Sequence, residues 1–562
     1  MDYSKDAEHK LRFGGGSIER GSCKMKASIN KTVSISLAVL MTGSLVAGCS
    51  GKNEEASSSS SPANSPSAAN VAPTKPISLT YWTDLSSNAA ASVTNLGQID
   101  MYKELEKRTG VKVQFKHPAA GQVSEQFGLL VASHDLTDVI EYSWVNYPGG
   151  PNKAIQDNVI IRLNDLVDKH APNLKKILDS NPEVKKQIST DNGDIYAFPS
   201  LNIQKNRVFG GIMLRQDWLD ELGLTAPETI EEWEKVLKSF KEKKGATSPY
   251  TLTKAHIGGI TGFLEAFGVN NDFYVDNGKV KYGPYEDSYK QFLTLFSKWY
   301  SLGLIDKDFA TNDGKTFDAK VTTEKAGAFS GYIGSSMGKY IPALKDKNPK
   351  VNLVMVQYPV LNKGDAPKFA QRDGEYNTFG AAAISVANKN PVETVKWLDY
   401  LYSEEGHLLK NFGIEGLTYK LDNGYPKYTD LITKNPDKLS IGEAMGKYFR
   451  ANYPSPGLAD DRYLEQYYEF PQQKDALKTL SKYADNAVKV LMPPATNSPQ
   501  EAEELAKIMA EVKTYQSEMM FKFIMGVEPL DNFDKYKEQL KKMNIEKAIG
   551  FKQAALDRYN KR

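Results

Sequence analysis

The sequence predicts an α/β fold, on three observations. Within 77–142, short apolar runs alternate with helix-length segments in the order strand, helix, strand, helix, strand, the pattern of a largely parallel sheet. A second alternation starts near residue 205. The length of 562 residues exceeds the roughly 100–200 residues of one domain, so at least two domains are expected.

Each element has a local cause. Residues 77–82 (ISLTYW) are β-prone, and 111–115 (VKVQF) alternate with period two. Between them a helix over 101–108 is closed by Gly110. A second helix covers 124–133 and leads to a strand at 138–142 (DVIEY). In the second region, 209–214 reads as a strand and 216–222 as a helix stopped by Gly223. Thr229 followed three residues later by Glu232 is a capping box. Trp233, Val236, Leu237 and Phe240 then recur at helical spacing, which assigns Trp233 to a core. A long helix is expected over 285–302, an apolar strand over 381–386 and a helix over 392–402. Trp218, Trp299 and Trp397 have helical spacing and apolar neighbours and read as core, and the last hundred residues read as mostly helical.

Composition excludes several functions. Lys plus Arg number 71 and Asp plus Glu 69, a net charge of +2, which gives no nucleic-acid footprint. There is no HExxH or P-loop pattern. The histidines, His9, His117, His134, His170, His256 and His407, do not pair at zinc-ligand spacing. The cysteines are Cys23 and Cys49 alone.

The N-terminal region reads as export machinery. Lys26 and Lys31 flank an apolar stretch over 32–46 that ends in Leu45-Val46-Ala47-Gly48-Cys49. Basic flank, short apolar core and small residues describe a secretory signal. The stretch falls short of the about 20 apolar residues of a membrane span. Its end resembles the lipobox of bacterial lipoproteins, with Val46 where such signals prefer Leu. The resemblance implies a signal peptide over 25–48 and Cys49 as a diacylated mature N-terminus. Residues 1–24, charged and glycine-rich, precede a complete signal and are expected to be an over-extended start, with Met25 the true one. After cleavage and lipidation no thiol would remain, which excludes a disulfide, thiol catalysis or a cysteine metal site. Residues 49–76 combine the lipidated cysteine with a Ser-, Ala- and Pro-rich stretch that reads as a flexible tether.

The body resembles the extracellular solute-binding lipoproteins of ABC importers, family 1 sugar-binding type. The narrower likeness is to large Gram-positive oligosaccharide-binding lipoproteins and alginate-binding proteins. Seven stretches carry it in the family's order: 130–140 (LVASHDLTDVI); 163–166 (LNDL) with 171–174 (APNL); 194–199 (DIYAFP); 215–220 (RQDWLD) with 223–224 (GL) and 227–229 (PET); 303–306 (GLID); 522–526 (KFIMG); and 553–559 (QAALDRY).

The resemblance implies a two-lobed periplasmic-binding-protein-like fold of type II, with hinge-connected lobes, crossover strands and a helical C-terminal region. Lobe one would comprise 77–205 and 373–425; lobe two would comprise 206–372 and the helical 426–562. It implies a non-enzymatic receptor that captures a carbohydrate, an oligosaccharide, and delivers it to ABC permease subunits. That receptor would be a lipid-anchored monomer on the extracellular face of a Gram-positive-type cell membrane. No cofactor is expected: the nearest text to the calcium loop of alginate-binding relatives, 190–194 (TDNGD), lacks the alternating ligand run.

Sugar sites need aromatic faces and planar polar groups, and α/β ligand sites lie beyond the carboxyl ends of strands. Those criteria select Trp82, Trp144, Tyr332 and Tyr376 as stacking residues, and Asp84, Arg215, Glu375 and Asn377 as hydrogen-bonding residues. Two alternatives stay open. One is a peptide-binding ABC receptor, which needs charged anchors for peptide termini. The other is a secreted glycan-acting enzyme, which needs a spaced carboxylate pair.

Overall fold

The computed structural model describes residues 77–203, 208–259 and 262–562. Cys49, the signal and the tether lie outside the described residues. The expected elements form. The 101–108 helix is Asp100–Thr109, ended by Gly110 in the left-handed region (φ 70°), and it leads into strand Val111–Lys116. Thr229 and Glu232 make the reciprocal capping box at the start of helix Ile230–Lys243. Trp218, Trp233, Trp299 and Trp397 are all buried.

Two sheets organise the body. The first runs Gly457–Leu458, Phe198–Leu201, Tyr376–Ile384, Val139–Tyr142, Ile77–Trp82, Val111–Lys116. Its early strands pair in parallel, Tyr81 opposite Phe115 and Val139. Tyr376–Ile384 enters antiparallel to both neighbours, Ala383 opposite Ile140 and Asn377 opposite Ser200. The second sheet runs Leu353–Val356, Val208–Arg215, Ala328–Tyr332, Tyr250–Thr251, with Gln371–Arg372 also on Val208–Arg215. Val208–Arg215 is apolar and almost wholly buried, as a strand covered on both faces must be.

The chain crosses between the sheets three times. It leaves the first after Leu201 and enters the second at Val208; it returns between Arg372 and Tyr376. The third crossing corrects the expected division at 426. Gly457–Leu458 still pairs with Phe198–Leu201, and helix Ile441–Tyr448 packs on helix Ser87–Ala90. Only from Pro471–Ser481 does the chain pack on the second sheet. Helical content alone did not tell which sheet these helices would cover. The last helices, Pro499–Met525 and Ile545–Lys561, complete the second core.

Candidate functional site

The three crossings converge on one cleft, a cavity of about 250 Å³. Each crossing supplies part of its wall: Ser200, Asn202 and Phe209 from the first, Asp373 and Asn377 from the second, and Tyr453, Tyr463 and Tyr467 from the stretch before the third. Tyr332, the last residue of strand Ala328–Tyr332, completes the second sheet's side.

Packing holds these groups in place. The Tyr332 amide donates to Ser336 Oγ at 3.0 Å. Gln473 Nε2 donates to the carbonyls of Ile333 (2.8 Å) and Gly334 (3.1 Å), tying the loop after Tyr332 to the third crossing. A Cβ on Gly334 would lie 2.3 Å from the Tyr467 ring, so glycine is what lets that ring form the floor. The second crossing is fixed from behind. Gln187 Nε2 donates to Glu375 Oε2 (2.9 Å), and its Oε1 accepts from the Tyr376 amide (3.2 Å).

The wall chemistry is aromatic and amide-rich. Tyr332 is 43% exposed, with its ring 6.0 Å from Phe209 at 40°. Asn377 Nδ2 donates to Asp373 Oδ1 at 3.3 Å, and Asn377 Oδ1 accepts from the Phe379 amide. Phe379 itself is 64% exposed. It sits where strand Tyr376–Ile384 breaks register between Asn377 and Ala382. Buried Lys410 lies under the cleft with its Nζ donating to the Leu458 carbonyl at 3.5 Å. Burial pulls its ammonium down to about 7, and Arg450 adds to the effect.

The sequence-selected residues divide. Tyr332 and Asn377 line the cleft. Asp84 stands near its rim, where Oδ2 accepts from the Tyr453 hydroxyl at 2.9 Å. The others go elsewhere. Trp82 is buried against Phe127 and Tyr142. Trp144 is 0% exposed, because a 3₁₀ turn over Trp144–Asn146 folds it back and its Nε1 donates to the Ile140 carbonyl. Tyr376 is buried with its hydroxyl 2.8 Å from that of Tyr196. Glu375 faces Gln187, and Arg215 is consumed by Asp217 (2.8 and 2.6 Å), Glu324 (2.8 Å) and the face of Trp218 (4.6 Å). Trp82, Trp144, Arg215, Glu375 and Tyr376 are not among the residues that line the cleft. Phe209, Tyr453, Tyr463 and Tyr467 were not selected. The spacing of Tyr463 and Tyr467, four apart in helix Asp461–Tyr467, was the one legible signal.

In the 190–194 loop, Asp191 accepts from Arg558 Nε (2.6 Å) and Arg562 (2.8 Å), so guanidinium groups meet both its oxygens. Among the described residues, no group of three or more His, Cys, Asp or Glu is arranged to hold a metal ion.

Two sheets, three crossings and a cleft where they meet define a two-lobed solute-binding protein. The chain belongs to the bacterial extracellular solute-binding protein family, whose model matches residues 91–407. It is similar to the fructooligosaccharide ABC transporter substrate-binding protein FusA of Streptococcus pneumoniae serotype 4, 27% identical over 493 residues, which cover 81% of this chain and 86% of that protein. Among solved structures it resembles the alginate-binding protein AlgQ2 without calcium ion: TM-score 0.71, 27% identity, 86% of this chain and 98% of that one. It also resembles S. pneumoniae FusA in complex with kestose: TM-score 0.69, 25% identity, 86% of this chain and 99% of that one.

Proposed function

We propose that this chain is an extracytoplasmic receptor that captures an oligosaccharide in the cleft and delivers it to the permease subunits of an ABC importer. The observation that carries the reading is the cleft wall, where aromatic rings and side-chain amides from both lobes face one space. Aromatic faces suit the apolar side of a sugar ring, and amides pair with its hydroxyls. The names of the relatives, one for fructooligosaccharides and one for alginate, support the same class. Residues 77–203 with 373–467 form one lobe, and 208–372 with 471–562 the other. A ligand touching both lobes favours the closed arrangement by its differential affinity for it. The receptor acts as a monomer without catalysing a reaction.

Cys49 anchors it by lipid to the outer face of a Gram-positive-type cell membrane, behind the 50–76 tether. The lipobox-like sequence supports this, and among the described residues no helix is long and apolar enough to cross a membrane. Replacing Cys49 by Ala should release the protein into the medium; retention at the membrane contradicts the anchor. A thermal-shift screen of the folded body against oligosaccharides and peptides tests the ligand class. Stabilisation by oligosaccharides is expected, and stabilisation by peptides alone overturns the reading.

A further inference from the structure

The C-terminal helix Ile545–Lys561 packs into the second core, yet its last turn bonds to the first lobe. There, Ser189 and Ile195 bridge to close a hairpin around Asp191. The hairpin is fixed to its own lobe: Arg162 Nε donates to Asp194 at 2.7 Å, and Asn164 Nδ2 donates to the Gly193 carbonyl at 2.9 Å. Its other side meets the second lobe. Asp191 Oδ2 accepts from Arg558 Nε (2.6 Å), and Oδ1 accepts from Thr496 Oγ1 (3.0 Å) and Arg562 Nη2 (2.8 Å). Arg562 Nη1 also donates to the carbonyls of Ser189 and Thr190. Tyr559 Oη donates to Glu183 Oε1 at 2.7 Å, and Lys186 Nζ lies 4.2 Å from the centre of the Tyr559 ring. Glu501 holds Arg558 from the second lobe's own side.

This clasp lies behind the second crossing. Asn377 points into the cleft. Its neighbour Tyr376 therefore points the other way, as successive strand residues do, and its hydroxyl stands 2.8 Å from that of Tyr196, the residue that follows the hairpin. Gln187, between Glu183 and Asp191, bonds to Glu375 and to the Tyr376 amide. One short segment, 183–196, thus carries both the brace of the crossing and the first lobe's half of the clasp. If the lobes turn about the crossings so as to narrow the cleft, the gap behind the crossings widens. Bonds of 2.6–3.0 Å do not stretch, so narrowing the cleft must break them. Asp191 is 10% exposed, so solvent offsets that loss less than it would at a surface pair.

We propose that this clasp is a counterweight to closure, in which Arg558, Tyr559 and Arg562 hold the lobes apart at the cleft by holding them together behind it. Part of the ligand's binding free energy then goes into opening the clasp, and the observed affinity is lower than the closed cleft alone would give. The C-terminal turn therefore tunes how tightly the receptor holds its ligand, and how readily it lets go, without touching it. The ligand named for the test rests on the carbohydrate reading above; the direction of the effect rests on the side of the crossing at which the clasp lies.

The test titrates fructo-, malto- and manno-oligosaccharides of two to five units calorimetrically into the full chain, Asp191→Asn and Tyr559→Phe. The two variants weaken different bonds of the clasp and leave the cleft wall as it is. Each should bind the sugar that wild type binds more tightly, by about three- to tenfold, the equivalent of about one hydrogen bond. The melting temperature of each ligand-free variant should fall, because a native contact is lost. Higher affinity together with lower stability is a signature that damage to the fold does not produce. Affinity that is unchanged or weaker in both variants overturns the counterweight and leaves the receptor reading standing. Wild type that binds none of the sugars overturns the receptor reading and, with it, the role of the clasp in sugar binding.

Discussion

Arg215 ends a buried strand, where a ligand-binding arginine could stand. Its guanidinium instead holds Asp217, itself 7% exposed. Breaking a buried pair strands the remaining charge and costs about 3–5 kcal/mol. Arg215→Met should lower the melting temperature by several degrees, while oligosaccharide affinity measured by calorimetry stays near that of wild type. A loss confined to affinity would return Arg215 to the site. Lys410 carries the opposite problem, a buried ammonium paired with no carboxylate among the described residues, near Arg450 and Glu141. Its folded value of about 7 lies below the about 10.4 of an unfolded lysine. Between those values the unfolded chain binds more protons, so this group's contribution makes stability rise with pH from about 7 to about 10.4. Below pH 7 its penalty is complete. Lys410→Met should therefore stabilise most at pH 6 and lose that gain by pH 10 in urea titrations; a gain independent of pH would contradict the assignment.

Legibility at the element scale followed local chemistry. The Thr229–Glu232 capping box and the Gly110 cap were written in a few adjacent residues and form as read. Thr229→Ala should cost about 1 kcal/mol. The aromatic strand ends misled because the chain turns back after them: Trp144 falls in a 3₁₀ turn and enters the core. Phe379 stayed hidden because a register break, not a periodicity, exposes it. The C-terminal helix Ile545–Lys561 carries a contact that no local pattern announces. Tyr559 donates to Glu183 (2.7 Å), Arg558 bridges Asp191 and Glu501, and Arg562 donates to the carbonyls of Ser189 (2.6 Å) and Thr190 (3.0 Å). These contacts clasp the end of the second lobe to the first. Replacing Arg558 and Arg562 together by Ala should speed amide exchange across Ile545–Lys561 by about tenfold or more. Unchanged protection would show that apolar packing alone holds the helix.

For the whole molecule, the α/β class and two-lobed plan were legible from alternation and from the seven family-like stretches, because each is a local or ordered feature. The cleft was not, since most of its wall is assembled from three stretches at or beside the crossings, at about 200–209, 372–377 and 451–468, that lie more than 70 residues apart in the chain. Only Tyr332 and Asn377 of the sequence-selected set reach that wall. An oligosaccharide held at this convergence would meet Tyr332 as its most exposed ring. The direct measurement is a calorimetric titration of wild type and Tyr332→Ala with the best-binding sugar from the screen. Removing a stacking ring should weaken binding by roughly tenfold or more, with the melting temperature of the free protein changed by less than for a core aromatic because the ring is 43% exposed. Undiminished affinity in Tyr332→Ala would place the sugar elsewhere and contradict binding in this cleft.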